Sequence, residues 1–212
     1  MSQIAGASST NVPTHLFWII SRAAGTTALV LSSVSICFGL LMAGRLVKGN
    51  SSDRRAYHEV LSLSVLVAIV VHGVSLIGDS FLHPSIVDVT VPFALGYQRL
   101  ATTLGIVSGW ALTCLGLSFY LRDRIGRQRW KTIHMFTLLA WLGGLIHTFV
   151  EGTDAGQLWF LMLVAITTAP VVVLLGMRIA GGRFETWPAS LRTSSWRRGS
   201  GSRPRSETSM FR

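Results

Sequence analysis

Long apolar runs separated by short polar segments dominate the chain. Five of them approach or exceed the roughly 20 residues that cross about 30 Å of hydrocarbon as a helix. The runs are Phe17–Ala43, Tyr57–Ile77, Leu100–Leu121, Ile133–Val150 and Leu158–Ile179. Because hydrocarbon offers no hydrogen-bond partner to the backbone, such runs must be helical. The pattern predicts an all-α fold, a polytopic membrane helical bundle of about five transmembrane helices.

Composition agrees with this fold and marks three regions. Half of the 212 residues are apolar, 13% are charged, and the mean hydropathy is +0.50. Residues 1–16 are expected to form a short extracytoplasmic N-terminus, and residues 17–180 a single bundle. Residues 181–212 are rich in Ser, Arg and Gly without apolar periodicity. That composition buries too little surface to offset the entropy of ordering, so a disordered basic tail is expected.

The net charge of +10 is distributed unevenly along the chain. All but Arg22 and Arg99 of the 19 Lys and Arg residues follow the first or third run or lie from Arg178 onward. By the positive-inside rule, this predicts an outer N-terminus, a cytoplasmic C-terminus and a multi-pass protein of the cell membrane. The basic charge is therefore assigned to topology and to contact with membrane lipid, and not to nucleic acid.

Two apolar runs each contain a pair of histidines. Ionisable groups at membrane depth are costly and usually functional. His58 and His72 lie 14 residues apart, which is about 21 Å and nearly four whole turns of helix, so both rings share one face. His134 and His147 lie 13 residues apart, or about 19.5 Å. Two helices could therefore hold two stacked b haems by bis-histidine ligation, and electrons could cross the bilayer.

The second spacing fits the helix geometry less well. Thirteen steps of about 100° leave His134 and His147 roughly 140° apart in azimuth. Either Gly143-Gly144 permits a local distortion, or the haems approach this helix from different angles.

Antiparallel order predicts which histidines pair. His58 and His134 are the expected ligands of an inner haem iron, and His72 and His147 those of an outer haem iron. Arg99 is the expected outer partner of the anionic haem propionates. Each imidazole also needs a polar partner to fix its tautomer. The candidates near in sequence are Ser62, Ser64, Ser75 and Thr137. Neither Cys37 nor Cys114 belongs to a CxxCH motif, which excludes covalent c-type haem.

Several motifs give the chain a family resemblance. They are Arg22–Gly25 (RAAG), the His58/His72 spacing, Val91–Phe93 (VPF) before Arg99, Arg129-Trp130 leading to His134 and His147, and Glu151–Asp154 (EGTD). Over residues 17 to 180 the chain resembles the ferric reductase-like transmembrane domain. NADPH oxidases, ferric-chelate reductases and the haem subunit of the periplasmic methionine sulfoxide reductase system share that module. The resemblance implies two b haems on the matching histidines and transmembrane electron transfer. Many relatives have six helices, whereas five are counted here.

These observations predict an oxidoreductase module or the electron-transfer subunit of one. Residues 181–212 are too short for a flavin or nicotinamide domain, so a separate flavoprotein or quinol is the expected donor and any flavin or quinone comes through a partner. Ferric iron, oxygen or an extracytoplasmic reductase is the expected acceptor. Two alternatives stay open. One is a quinone-binding membrane anchor subunit with at most one haem, and the other is a haem-free transporter or scaffold.

Overall fold

A computed structural model describes residues 12–79 and 82–181, and those residues form helices joined by short loops, without a strand. The helices are α1 (Val12–Ala43), α2 (Ser51–Ile77), α3 (Ile86–Thr90), α4 (Arg99–Leu117), α5 (Arg122–Ile125), α6 (Arg127–His134), α7 (Thr137–Glu151) and α8 (Leu158–Gly181), with a 3₁₀ turn at Ser118–Leu121 between α4 and α5. The predicted all-α fold is confirmed. The predictions for residues 1–11 and for the tail beyond Gly181 fall outside the described residues.

Five segments are long and apolar enough to cross a membrane, as predicted. They are Leu16–Ala43, Ser51–Ile77, Arg99–Ile125, Arg127–Glu151 and Leu158–Ala180. The structure divides two of the predicted runs. The third continues past Leu117 through the 3₁₀ turn into α5, and the fourth consists of α6 and α7, joined at Met135 and Phe136.

Helix α2 shows how the sequence sets the inside and outside of the bundle. His58, Val65 and His72 recur every seven residues and so lie on one face. Val65, midway between the histidines, is only 4% exposed. Val60, Val67 and Val74 follow the same seven-residue period on another face and are 62%, 63% and 61% exposed. The histidine face therefore points into the bundle and the valine face is free to contact lipid.

The helices pack in two main pairs, α1 with α2 and α4 with α7, and α8 packs against α1. One buried apolar cluster joins Leu29 of α1 to Phe160 and Val164 of α8. The described part of the chain has a second cluster, formed by Leu40, Trp141 and Val171. These clusters hold α1 between its neighbours.

A buried hydrogen bond also connects the two pairs. The Trp141 Nε1–H of α7 donates to the Ser33 hydroxyl of α1 at 3.0 Å, while that hydroxyl donates to the Leu29 carbonyl at 2.8 Å. Both polar groups are thus satisfied inside the bundle, as buried polar groups require.

The segment between α2 and α4 is folded onto α4. Ser85 and Asp88 form a capping box at the start of α3, and the Ser85 hydrogen bonds hold the pKa of Asp88 below its usual value. The Phe93 N–H donates to the Thr103 hydroxyl at 2.9 Å, and Trp110 Nε1–H donates to the Thr90 carbonyl at 2.9 Å. These contacts close the end of the bundle at which α2 finishes and α4 begins.

Candidate functional site: two levels of paired histidines

One level, named the outer level after the predicted topology, contains His72 of α2 and His147 of α7. His72 Nδ1 lies 2.8 Å from the Ser21 carbonyl oxygen and 3.0 Å from the Ser21 hydroxyl. The same hydroxyl donates to the His72 carbonyl at 3.2 Å. His147 Nδ1 lies 2.9 Å from the Ala101 carbonyl. A carbonyl oxygen only accepts, so both Nδ1 atoms must carry the proton.

At the inner level, the His58 ring takes part in a ring of hydrogen bonds with two hydroxyls. The Ser62 hydroxyl donates to the His58 carbonyl at 2.8 Å, so its single proton is used. Ser35 lies 3.1 Å from that hydroxyl and must therefore donate to it. Ser35 has no second proton, so its 3.4 Å contact with His58 Nδ1 requires that this nitrogen donates. His58 is thus in the same tautomer as His72 and His147.

The common tautomer leaves the other ring nitrogen of these three histidines available. Within residues 12–79 and 82–181, Nε2 of His58, His72 and His147 makes no hydrogen bond, whereas Nδ1 does in each case. A neutral imidazole that donates from Nδ1 presents a lone pair at Nε2, which is the arrangement of a metal-binding histidine.

His134, at the end of α6, has different surroundings. Its Nδ1 is buried and has no hydrogen-bond partner among the described residues, although the Leu115 carbonyl lies close to the ring. The Trp130 indole stacks on the imidazole with ring centroids 5.0 Å apart and an angle of 23° between the planes. The ring is thus oriented mainly by an aromatic contact from one turn earlier in the same helix.

The predicted inner partners lie close together. His58 and His134 have ring centroids 6.3 Å apart and planes at 87°. An ordinary edge-to-face ring contact has this separation, so the distance brings the two rings together but does not by itself indicate a shared ligand. His72 and His147 lie within electrostatic range of each other.

Three glycines allow the neighbouring helices to approach the rings. A Cβ added at Gly25 would lie 3.0 Å from His72 Nδ1, and one at Gly39 would lie 3.3 Å from His58 Cε1. A Cβ at Gly105 would lie only 2.6 Å from the His147 ring. Gly105 and Gly109 form a GxxxG in α4, but the two glycines face different partners, because Gly109 lies against Ile69.

The join between α6 and α7 accounts for the 13-residue spacing. Backbone N–H groups of Phe136, Leu138 and Leu139 donate to the carbonyl three residues earlier, at 3.0, 3.2 and 3.0 Å. A 3₁₀ step turns about 120° and rises about 2.0 Å, against about 100° and 1.5 Å in an α-helix. Three or four such steps extend the His134–His147 separation to about 21 Å and cut the azimuthal gap to roughly 70°. The local distortion is therefore here, and α7 runs unbroken through Gly143-Gly144.

Two of the hydroxyls predicted to fix the imidazole tautomers, those of Ser64 and Thr137, bond elsewhere, and Ser62 has an indirect role. Ser64 donates to the Val60 carbonyl and Thr137 to the His134 carbonyl. Hydroxyls within a helix commonly bond back to their own helix in this way. The direct partners of the rings come instead from α1 and α4.

A repeated pattern in α1 could have identified these partners from the sequence. Ser21 and Gly25 receive the His72 ring, and Ser35 and Gly39, each 14 residues later, receive the His58 ring. The Ser-x3-Gly repeat has the same 14-residue period as the histidines it meets. Such a shared period in two adjacent helices is the missed signal.

Charged groups surround the outer level. Glu151 lies with one carboxylate oxygen 3.7 Å from His147 Nδ1 and accepts from the Thr102 hydroxyl at 2.5 Å. Arg22 forms an ion pair with Asp154. Arg99, the predicted propionate partner, is exposed at the start of α4, and its Nε–H donates to the Phe93 carbonyl at 3.2 Å. It lies two residues before Ala101, whose carbonyl contacts the His147 ring.

No family model matches the chain, and no curated protein or solved structure matches it. The resemblance to ferric reductase-like domains therefore stays a prediction based on the motifs. Among the described residues, no group of three or more His, Cys, Asp or Glu side chains is placed to hold a metal ion. The four imidazoles are arranged as two pairs, and axial ligation of a haem iron needs only two side chains.

Proposed function

We propose that this protein is a membrane b-type cytochrome module that transfers electrons across the bilayer through two haems. The observation that carries the proposal is the shared tautomer of His58, His72 and His147, each with Nδ1 donating to the protein and Nε2 free. Histidines used for helix packing alone would have no reason to keep the same nitrogen free at both membrane depths.

The chain's own residues would ligate, orient and insulate the haems. His58 and His134 are the inner ligands, and His72 and His147 the outer ligands. Haem supplies a one-electron carrier when bound. Carbonyls of Ser21 and Ala101 fix the outer rings, and the hydroxyls of Ser35 and Ser62 fix one inner ring. Apolar side chains such as buried Val65 exclude water between the two levels.

Charge supports a direction for electron transfer. The described Lys and Arg residues, other than Arg22 and Arg99, all lie at or beyond the bundle end that carries His58 and His134. By the positive-inside rule that end is cytoplasmic. Electrons would enter there from a separate flavoprotein or from quinol and leave beside His72 and His147. The acceptor would be ferric iron, oxygen or an extracytoplasmic reductase.

A haem count tests the proposal. The purified full-length protein is examined by a dithionite-reduced minus oxidised spectrum and by a pyridine haemochrome assay. About two b haems per chain are expected. His72→Ala and His134→Ala should each lose one, because each removes one axial ligand from a different level. His83→Ala is the matched control, since His83 is exposed in the loop after α2.

Each other result supports a different protein class. One haem per chain, lost in only one of the two variants, would favour the quinone-binding anchor subunit. A protein without haem from haem-replete cells would leave the transporter or scaffold. Equal loss in His83→Ala would show that haem retention reports general folding and would overturn the ligand assignment.

A further inference from the structure

The two levels fix their imidazoles by different chemical means. At the outer level, the acceptors for Nδ1–H are the backbone carbonyls of Ser21 and Ala101, at 2.8 and 2.9 Å. At the inner level, the described residues give His58 Nδ1 a side-chain hydroxyl at 3.4 Å, and the Ser35 backbone also lies close to the ring. A backbone carbonyl survives any substitution, whereas a hydroxyl can be removed. The hydroxyl contact is therefore the part of the inner arrangement that depends on side chains.

The hydroxyls of Ser35 and Ser62 form a chain of hydrogen bonds in which each donor depends on the next group as its acceptor. His58 Nδ1–H donates to Ser35, Ser35 donates to Ser62, and Ser62 donates back to the His58 carbonyl. The chain links α1 to α2, and Ser35 is only 6% exposed, so water is a poor substitute for the Ser35 hydroxyl. Linked hydrogen bonds polarise one another and strengthen together in a low-dielectric interior.

We propose that Ser35 and Ser62 form a two-hydroxyl relay that positions the His58 imidazole and sets its Nδ1–H tautomer. Ser35 touches the ring, and Ser62 acts through Ser35. The relay is a positioning device for the inner haem site and rests in that respect on the proposed function. An acceptor at Nδ1–H raises the basicity of Nε2, which stabilises the oxidised iron. Loss of the relay therefore raises the midpoint potential of the inner haem.

A double-mutant cycle tests the relay in the full-length protein. The variants are Ser35→Ala, Ser62→Ala and both together, and the readout is a potentiometric titration of the two haem components. Ser35→Ala is expected to raise one component and leave the other unchanged. Ser62→Ala should shift the same component in the same direction by less. The double variant should match Ser35→Ala, because Ser62 has no route to the ring once Ser35 is gone.

Two serines serve as matched controls. Among the described residues, the hydroxyl of Ser32, buried in α1, bonds to the Leu29 carbonyl, and that of Ser64 in α2 bonds to the Val60 carbonyl. Neither Ser32→Ala nor Ser64→Ala should move either component. Additive shifts in the cycle, or equal shifts in the controls, would overturn the relay while leaving two-haem binding intact.

A second measurement does not need haem. In protein labelled with ¹⁵N at histidine and prepared without haem, the His58 signal should show a protonated Nδ1 in the parent. In Ser35→Ala it should become a mixture of tautomers, with the His72 signal unchanged. An unchanged His58 signal would refute the relay. This readout separates failure of the relay from failure of the proposed function, which a missing haem in the parent would indicate.

Discussion

Helix α2 and the α6–α7 segment each place two histidines at two depths of the bundle, but they do so with different backbone geometry. Helix α2 runs from Ser51 to Ile77 without a break and places His58 and His72 on one face by a 14-residue spacing. The α6–α7 segment has one residue fewer between its histidines and makes up the difference with 3₁₀ hydrogen bonds around Phe136. Depth in the bundle is matched in both segments, although only one has the regular period. A rule based on regular spacing alone would therefore miss some side chains that lie at matched depths.

The largest expected effect comes from inserting one residue into the regular helix. An Ala between Val65 and Leu66 would turn His72 by about 100° relative to His58 and move it about 1.5 Å along the axis. His72 would then leave the Ser21 and Gly25 surface. We expect loss of one of the two haems, measured as haem per chain by the pyridine haemochrome assay.

The same insertion in the other segment is the control. An Ala between Met135 and Phe136 restores a 14-residue spacing, which an ordinary α-helix satisfies without the 3₁₀ turn. We expect this variant to retain both haems. If both insertions caused the same loss, the 3₁₀ turn would not be the compensation inferred here.

Glycine substitutions test how closely α1 and α4 approach the histidine rings. Gly105→Ala places a Cβ 2.6 Å from the His147 ring, so the ring or the helix must shift. Gly39→Ala gives a milder 3.3 Å contact with His58 Cε1. We expect Gly105→Ala to lower the melting temperature and reduce outer haem more than Gly39→Ala does. This should hold although Ala is favoured over Gly in a helix by up to about 1 kcal/mol.

Gly144→Ala is the matched control for these variants. An added Cβ at Gly144 meets nothing within 4 Å, although the residue lies in α7 close to His147 in sequence. Its melting temperature should stay equal or rise slightly, with both haems retained. A drop as large as that of Gly105→Ala would refute the close-approach explanation.

The smallest expected effect on haem content comes from breaking the hydrogen bond between Trp141 of α7 and Ser33 of α1. Trp141→Phe removes the 3.0 Å hydrogen bond to Ser33, but the Ser33 hydroxyl keeps its bond to the Leu29 carbonyl. Hydrogen bonds between membrane helices are worth about 0.6 kcal/mol on average. We expect the lost hydrogen bond to lower the free energy of unfolding in detergent by about that amount. The smaller ring adds a packing loss in the cluster with Leu40 and Val171, and both haems should be retained. Haem loss in this variant would show that Trp141 positions a histidine segment.

Helix faces were predictable because α2 is regular. The period of 3.6 residues per turn places His58 and His72 on one side of the helix without any knowledge of packing. The valines that recur every seven residues from Val60 lie on an exposed face. The bounds of α6 and α7 were less predictable, because Met135 and Phe136 are ordinary apolar residues without a Gly or Pro to indicate a break. A short 3₁₀ turn has no strong composition of its own.

The sequence by itself determined the all-helical architecture, the five membrane-length segments and the depth of each histidine. Those properties depend on local hydrogen bonding and on apolar length, which are encoded residue by residue. Only the tertiary structure decided which groups meet the imidazoles, since Ser21 is 51 residues from His72 and Ala101 is 46 from His147. Contacts between helices depend on their rotation and approach, which a small residue such as Gly105 permits but does not specify. The tautomers, and with them the free Nε2 atoms, follow from that packing.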